Sequence, residues 1–384
     1  MSFFSPAAPS IFSAMVAPLL RWYAASARKM PWRMSSPDPY RTLVSEIMLQ
    51  QTRVETVIPY YERFIAELPT AAALAAADEE RLLKLWEGLG YYSRVRNLQK
   101  AAQKVMREFG GELPADRDLL LSLPGIGEYT AGAIASIAFG LPEPAVDGNV
   151  LRVCARLADC HADIADPAFR RETRDLLKAV YPSGKCSDLT QSIMDLGAVV
   201  CLPGSPHCPE CPLAEICLAG KAGTAPALPV KKAPAERKIE NRTVFLLFSD
   251  SGRIALRKRP GRGILAGLWE YPAETGKLTQ SEVSQWLKNH QIEAVSIRKT
   301  GACKHIFTHL EWHQTGWLIQ CQGENSEFTW TSLRDLHECY SLPSAFQGFS
   351  AAVNELAAGK PAASKQIIFE AADGASAASA PSHF

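Results

Sequence analysis

The hydrophobic pattern of this chain changes once, near residue 219, and this change limits its possible folds more than any other feature. Over 11–218 the apolar residues recur at helical spacing, with few alternating β-branched runs. The stretch 219–236 is rich in Ala, Pro, Gly and Lys and lacks periodicity. Beyond it, runs such as 243–248 and 316–321 are typical of strands. The sequence therefore predicts a multidomain protein, all-α first and α+β second.

The domain boundaries follow from the same pattern. We predict an all-α region over 11–218, a linker over 219–238, an α+β domain over 239–353 and a disordered tail over 358–384, which is rich in Ala and Ser. A total of 384 residues is enough to build two cores.

Four local predictions can be compared directly with the structure. Residues 1–10 look irregular, a single helix is predicted from 69 to 86, and another over 97–109 ends at Gly110 and Gly111. In the second domain a helix is predicted over 281–290.

Charge alone does not identify a binding partner, because 41 basic residues are balanced by 40 acidic ones. Basic residues concentrate over 237–262, and a further set recurs at helical spacing over 96–107. Taken alone, such a stripe is more typical of a solvated helix face than of a nucleic-acid surface. No apolar run is long enough to span a membrane, and the first residues lack the pattern of a secretory signal. We therefore expect a cytoplasmic protein with no membrane partner.

Four of the ten cysteines lie close together, with the spacing C-x6-C-x2-C-x5-C. A disulfide framework is not expected without a secretory signal. Thiolates this close can surround one compact metal centre, and the spacing leaves both a structural zinc ion and an iron–sulfur cluster open. The four candidate ligands are Cys201, Cys208, Cys211 and Cys217.

A glycine-containing turn and an aspartate follow each other at an interval of about twenty residues. Gly125 and Gly127, in Leu-Pro-Gly-Ile-Gly between two helical stretches, allow a tight turn whose backbone amides could point at a DNA phosphate, although an ordinary packing hairpin has similar needs. Asp147 precedes a helix beginning near Val150. It could cap that helix, or stay ionised at its positive end, with Asn149 holding it in place.

Glu46 is a candidate acid. It lies in Ser-Glu-Ile-Met-Leu-Gln-Gln-Thr, where three apolar residues follow it. A lone glutamate on a helix is usually solvated, but burial in an apolar pocket would raise its pKa and let it hold a proton near neutrality.

Together with Pro31-Trp-Arg and Val146-Asp-Gly-Asn-Val, these motifs resemble the MutY branch of the helix-hairpin-helix glycosylases, which are related to endonuclease III. The resemblance extends over about 21–349. It implies a six-helix barrel at about 31–140, and a second lobe from 11–30 plus 141–218 whose four cysteines hold a [4Fe–4S] cluster. It also implies a Nudix-like C-terminal domain, matched by Gly-Leu-Trp-Glu-Tyr-Pro at 267–272 and Phe-Thr-His at 307–309. The Nudix R-E-x-x-E-E box is missing, which speaks against a pyrophosphatase.

The implied activity is hydrolytic removal of adenine mispaired with 8-oxoguanine or guanine in double-stranded DNA, by a monomeric enzyme that leaves an abasic site. Glu46 would protonate the base and Asp147 would stabilise the sugar cation. Tyr129 stands where the relatives that also cut the backbone carry a lysine. Monofunctional action is therefore expected, with Tyr129 as a polar partner of the sugar.

The resemblance also implies the residues that contact DNA. Gln51 and Tyr91 would act as wedges in the base stack, while Thr52, Leu89 and Thr308, with His309 beside it, would contact 8-oxoguanine. The adenine pocket would be bounded by Arg28, Trp32, Arg33 and Gln191.

Two alternatives stay open at this point. An endonuclease III-type lyase acting on oxidised pyrimidines is disfavoured by Tyr129 and by the second domain. A non-catalytic, DNA-binding redox module would need no buried acid.

Overall fold

The computed structural model describes residues 2–231 and 236–357, so the predicted tail over 358–384 lies outside the described residues. Within these ranges the chain divides into two compact units. The helical unit comprises 2–77 and 93–231, and the mixed unit comprises 78–92 and 236–357. A short segment from within the predicted all-α region therefore belongs to the second unit.

The helical unit contains no named strand among its described residues, in keeping with the predicted all-α character. Its helices are α1 (Ala8–Ser26), α2 (Pro39–Leu49), α3 (Val54–Glu67), α4 (Ala71–Ala76), α6 (Ser93–Glu108), α7 (Arg117–Leu121), α8 (Glu128–Ile137), α9 (Gly148–Leu157), α10 (Pro167–Lys178), α11 (Cys186–Val199) and α12 (Leu218–Ala222), while α5 (Glu79–Leu85) lies in the other unit.

The helix predicted over 69–86 is wrong, because the chain forms two helices there. Asp78 has an extended conformation, and its side chain accepts the backbone N–H groups of Glu80 and Arg81 at 3.0 and 3.2 Å, so it caps a new helix. The helix over 97–109 is confirmed as part of α6. Gly110 and Gly111, which follow it, have positive φ angles of 65° and 92°, and such angles end a helix readily in glycine.

Two segments predicted to be irregular are packed instead. Phe4 is buried and helix α1 begins at Ala8, so the first ten residues contribute to the core. The first four residues of the predicted linker belong to α12, and Ala219, Ala225 and Leu228 form a small buried cluster. Small apolar side chains at these positions can be buried without long-range periodicity, which is why the sequence pattern did not reveal them.

The mixed unit is built on a sheet of strand order β3-β2-β1-β6-β5, with β4 beside β1 and β7 beside β2. The strands β1 and β6 are parallel, and the other pairs are antiparallel. The strands are β1 (Lys238–Phe248), β2 (Ile254–Lys258), β3 (Trp269–Glu270), β4 (Ala273–Thr275), β5 (Glu293–Ile306), β6 (Leu310–Gln322) and β7 (Thr329–Thr331).

Each face of this sheet carries its own core, because side chains alternate along a strand. Val244 and Leu246 belong to one core, which is completed by α14 (Leu333–Glu338) and α15 (Ser350–Ala357). Phe245 and Leu247 belong to the other, against α13 (Gln280–Asn289). The predicted α+β class is confirmed. In the described ranges no helix is both long and apolar enough to cross a bilayer.

Candidate active site

A single cavity of about 1020 Å³ in the helical unit brings together residues from five separate parts of the sequence. Glu46 on α2, Tyr129 on α8 and Asp147 at the start of α9 all line it. The remaining predicted site residues along its wall are Asn149, Thr52, Arg28, Trp32, Arg33 and Gln191. The two carboxylates therefore share one cavity, as the proposed chemistry requires.

Glu46 is buried, with 5% of its surface exposed, and the Tyr129 hydroxyl donates a hydrogen bond to its Oε2 at 2.8 Å. Burial raises the pKa of Glu46 to about 7, and the charge of Asp147 acts in the same direction. The Tyr129 hydrogen bond and the charge of Arg33 oppose this rise without cancelling it. Glu46 can therefore carry a proton near neutral pH and release it to a substrate.

Asp147 is the N-cap of α9. Its Oδ1 accepts the Val150 backbone N–H at 2.7 Å, and its Oδ2 accepts the Asn149 side-chain amide at 2.9 Å. Burial raises the pKa of Asp147 above its ordinary value, while these hydrogen bonds and the charge of Arg152 oppose the rise because they favour the ionised form. The carboxylate is thus held in one orientation at the positive end of a helix.

Arg152 links this aspartate to the cysteine loop, and the sequence analysis did not identify it. Its guanidinium donates to the Asn149 side-chain oxygen at 3.0 Å, to the Gly197 carbonyl at 2.7 Å and to the Cys201 carbonyl at 2.8 Å. Asn149 in turn holds Asp147. The only available sequence signal was that Arg152 follows Asn149 by three residues, which puts both on one face of α9.

Arg28 and Arg33 do not present free guanidinium groups to the cavity, because both bind Asp195 on α11. Arg28 Nη2 lies 2.6 Å from Asp195 Oδ1, and Arg33 Nη1 lies 2.7 Å from Oδ2. The Asp195 side chain is fully buried; burial alone would raise its pKa, but the two arginines hold it below its usual value. Sequence analysis missed Asp195, although a charged residue between the apolar Ile193 and Leu196 was a usable signal.

The other two predicted pocket residues have simpler surroundings. The Trp32 ring meets the Tyr61 ring edge to face, with centroids 5.2 Å apart. Gln191 lines the cavity, and its side-chain amide donates to the Ser187 hydroxyl at 3.1 Å.

The predicted hairpin turn depends on Gly125 more than on Gly127. Gly125 has φ of +77°, and a Cβ there would lie 2.6 Å from the Asn97 Cβ. Gly127 is the N-cap of α8 with an ordinary φ of −96°, and a Cβ there would meet no atom within 4 Å. Gly125 therefore makes the turn, while Gly127 leaves open space in front of the amides that begin α8.

The segment after α2 has an unusual backbone. Gln51 is exposed and has φ of +62°. Arg94, a buried residue that sequence analysis missed, donates to the Ile47 carbonyl at 2.9 Å and the Met48 carbonyl at 3.0 Å, and its Nη2 lies 3.4 Å from the Thr52 hydroxyl. Arg94 thus binds the otherwise unsatisfied carbonyls at the end of α2 and supports Gln51 and Thr52.

In the mixed unit, Tyr91 and Thr308 are hydrogen-bonded through their hydroxyls at 3.0 Å. Tyr91 is 47% exposed with φ of +47°, and Thr308 and His309 are exposed. Leu89 is only 6% exposed, so its side chain contributes to packing.

All four predicted cysteine ligands line a second cavity, of about 310 Å³, in the helical unit. Arg156 Nη1 lies 3.2 Å from Cys201 Sγ, and the Cys217 thiol donates to the Arg156 carbonyl at 3.4 Å. Over the described ranges, no three His, Cys, Asp or Glu side chains are close enough together to hold one metal ion.

Comparisons with known proteins agree with this architecture. The HhH-GPD superfamily base excision DNA repair protein family matches residues 44–179, and the NUDIX domain matches residues 243–352. The adenine DNA glycosylase of Homo sapiens is 32% identical over 385 residues, covering 83% of this chain and 70% of that protein. The adenine DNA glycosylase of Buchnera aphidicola subsp. Baizongia pistaciae is also 32% identical, covering 85% and 92% respectively. A solved thermostable thymine-DNA glycosylase superposes with a TM-score of 0.50 at 27% identity, covering 56% of this chain and 99% of that one. The chain therefore belongs to the adenine DNA glycosylase family.

Proposed function

We propose that this protein hydrolyses the N-glycosidic bond of adenine opposite 8-oxoguanine or guanine in duplex DNA. The observation that carries the proposal is the pairing, in one cavity, of a buried acid that holds a proton near pH 7 with a second carboxylate fixed at a helix N-terminus. A base inside a duplex cannot reach this cavity, so the adenine must first leave the stack.

Glu46 acts first, as a general acid. Its proton passes to adenine N7, which converts the base into a neutral leaving group. The C1′–N9 bond then breaks and its electron pair departs with the adenine. The Tyr129 hydroxyl stays protonated, since burial holds its pKa well above the usual value, and it orients the Glu46 carboxylate through their hydrogen bond.

Asp147 faces the positive charge that develops on the sugar. A carboxylate fixed in advance by Val150 and Asn149 needs little reorganisation when the oxocarbenium ion forms. A water molecule then adds to C1′ and gives its proton to Glu46, which is by then ionised. The products are free adenine and an abasic site.

The proposed reaction is monofunctional. A lyase needs an amine that forms a Schiff base with the sugar, and Tyr129 occupies the hairpin position where such an amine would stand. Lys29 and Lys185 do line the cavity, so the absence of strand cleavage has to be measured directly.

We propose that DNA is held by the hairpin at Gly125 and Gly127, by the wedges Gln51 and Tyr91, and by Thr52 and Thr308 on the base opposite adenine. The exposed positions of Gln51, Tyr91 and Thr308 support these assignments. Leu89 is buried and has the weakest support.

The four cysteines fit a [4Fe–4S] cluster better than a single zinc ion. All four line one cavity of about 310 Å³, which has room for a centre larger than a single ion. When bound, the cluster would tie together the chain between Cys201 and Cys217. The Arg156 guanidinium would stabilise the negative charge on Cys201.

The test is a duplex with adenine opposite 8-oxoguanine, scored for strand cleavage before and after alkali. We expect cleavage only after alkali, and Glu46→Gln should bind the duplex but lose at least about 10³-fold in rate. The matched control is Glu62→Gln, an exposed glutamate on α3, which should behave like the unmodified protein.

The competing functions give different results in the same assay. Cleavage without alkali would indicate a lyase of the endonuclease III type. Full activity of Glu46→Gln would refute the assigned acid, and no base release by any form would leave only a DNA-binding module.

A further inference from the structure

The hairpin between β5 and β6 carries Thr308 and His309 at its tip. The Phe307 backbone N–H donates to the Leu310 carbonyl at 2.8 Å, which closes a tight turn. Thr308 and His309 are exposed within the turn, while Phe307 packs against the core on one face of the sheet. Phe307 therefore anchors the tip to the core of the sheet, and the hydrogen bond between the Thr308 and Tyr91 hydroxyls is a second attachment.

The Phe307 ring packs against two neighbouring rings, of which Trp312 is the buried one. The Phe307 and Trp312 rings meet edge to face with centroids 4.8 Å apart and planes 73° apart. Trp312 lies on β6 and is only 1% exposed, so it is a fixed support. His305 meets the Phe307 ring at 4.6 Å and completes the contact.

Trp312 is itself held between charged groups. The guanidinium of Arg242 lies 4.2 Å from its ring centroid and that of Arg259 lies 5.3 Å from it. Cations are attracted to the face of an indole ring, which restricts the ring to one plane. The buried carboxylate of Glu270 forms ion pairs with both arginines and offsets their mutual repulsion.

No hydrogen bond within the described ranges fixes the Trp312 indole N–H, although it is buried. The ring is therefore held by groups packed against its faces and edges, and not by a hydrogen bond. A phenylalanine at this position would keep an aromatic surface without abandoning a hydrogen bond.

We propose that Trp312, clamped by Arg242 and Arg259 over Glu270, is the positioning residue that holds the Thr308 turn in register with the base opposite adenine. The inference rests on the proposed function, because it assumes that Thr308 reads that base. A side chain that distinguishes 8-oxoguanine from guanine must be held in position to within about half an ångström. A hairpin tip alone does not provide this precision.

The test is the ratio of single-turnover adenine release from duplexes with 8-oxoguanine and with guanine opposite adenine. Trp312→Leu and Phe307→Leu should each lower this ratio about three- to tenfold, the size of a lost aromatic pair, by slowing only the 8-oxoguanine duplex. Trp312→Phe should retain the ratio to within about twofold. Trp312→Leu combined with Thr308→Ala should lose no more than the larger single effect, because both changes act on one contact.

The control is Phe248→Leu, which removes a ring from the same core at the far end of β1 and should leave the ratio unchanged. An equal loss in Phe248→Leu would show general destabilisation and overturn the proposal. So would an unchanged ratio in Phe307→Leu, which tests the contact even if Trp312→Leu does not fold. If Thr308→Ala itself has no effect on the ratio, the failure lies in the proposed lesion contact; if only Thr308→Ala lowers it, the failure lies in the role of Trp312.

Discussion

The hydrogen bond between Tyr129 and Glu46 makes a directional prediction about pH. Tyr129→Phe removes the hydroxyl that donates to Glu46 Oε2 and leaves the aromatic ring in place. That hydrogen bond stabilises the ionised carboxylate and so lowers its pKa. Without it, Glu46 should hold its proton to a higher pH.

The size of the change follows from the strength of the bond. A hydrogen bond to a charged group contributes about 1.5–3 kcal/mol, and one pKa unit corresponds to about 1.4 kcal/mol. Glu46 in the unmodified protein has a pKa of about 7. The pH at which Tyr129→Phe loses half of its activity should therefore lie about one to two pH units higher.

The sign can be checked from the chemistry. The general acid is active when protonated, so the rate falls as pH rises through the pKa of Glu46, and raising this pKa moves the alkaline limb upward. At lower pH, protonation of Asp147 should end the activity and produce an acid limb in the pH profile. Because burial raises the pKa of Asp147, this acid limb should lie at a higher pH than an ordinary aspartate would give. The absolute rate of Tyr129→Phe should fall, because the carboxyl group is no longer oriented.

The assay is single-turnover adenine release at saturating enzyme, measured from pH 5 to 10 on the 8-oxoguanine duplex. Tyr40→Phe is the matched control, since the Tyr40 hydroxyl donates to the Leu68 carbonyl at 2.7 Å, remote from any catalytic carboxylate. Its alkaline limb should stay in place. A limb that moves downward in Tyr129→Phe, or that moves equally in both variants, would refute the reasoning.

Three further predictions concern the surroundings of the site. Asp195→Asn should destabilise the protein by about 3 kcal/mol, seen as a lower unfolding temperature, because two arginines lose the carboxylate that neutralises them. Arg152→Lys should slow adenine release at saturating enzyme without weakening DNA binding. The reason is that a single ammonium cannot reproduce the forked guanidinium that joins the Asn149 amide to two carbonyls. Unchanged release would show that the contact between Arg152 and Asn149 is only structural. Gly125→Ala should lower the unfolding temperature, whereas Gly127→Ala should leave that temperature unchanged and weaken only DNA affinity. Equal changes in unfolding temperature would contradict these separate roles of the two glycines.

Much of the architecture could be predicted because it depends on local patterns. Helical and strand periodicities distinguish the two units, and the cysteine spacing predicts a ligand set without reference to folding. The break at Asp78 and the long strand β5 were not predicted. Asp78 caps a new helix within an apolar pattern that otherwise continues at helical spacing. Strand β5 lies at the sheet edge and is mostly exposed, so its sequence lacks the apolar alternation of a half-buried strand.

The sequence by itself determined which residues are candidates for chemistry here: a glutamate followed by apolar neighbours, an aspartate that begins a helix, and four closely spaced cysteines. Only the tertiary structure decided the surroundings of each candidate. It buries Glu46 against Tyr129, it uses Arg28 and Arg33 to neutralise Asp195, and it places the four thiols along one cavity. The physical reason is that a pKa or an ion pair depends on groups within a few ångströms, and packing brings these groups together from positions that can be more than a hundred residues apart in the chain.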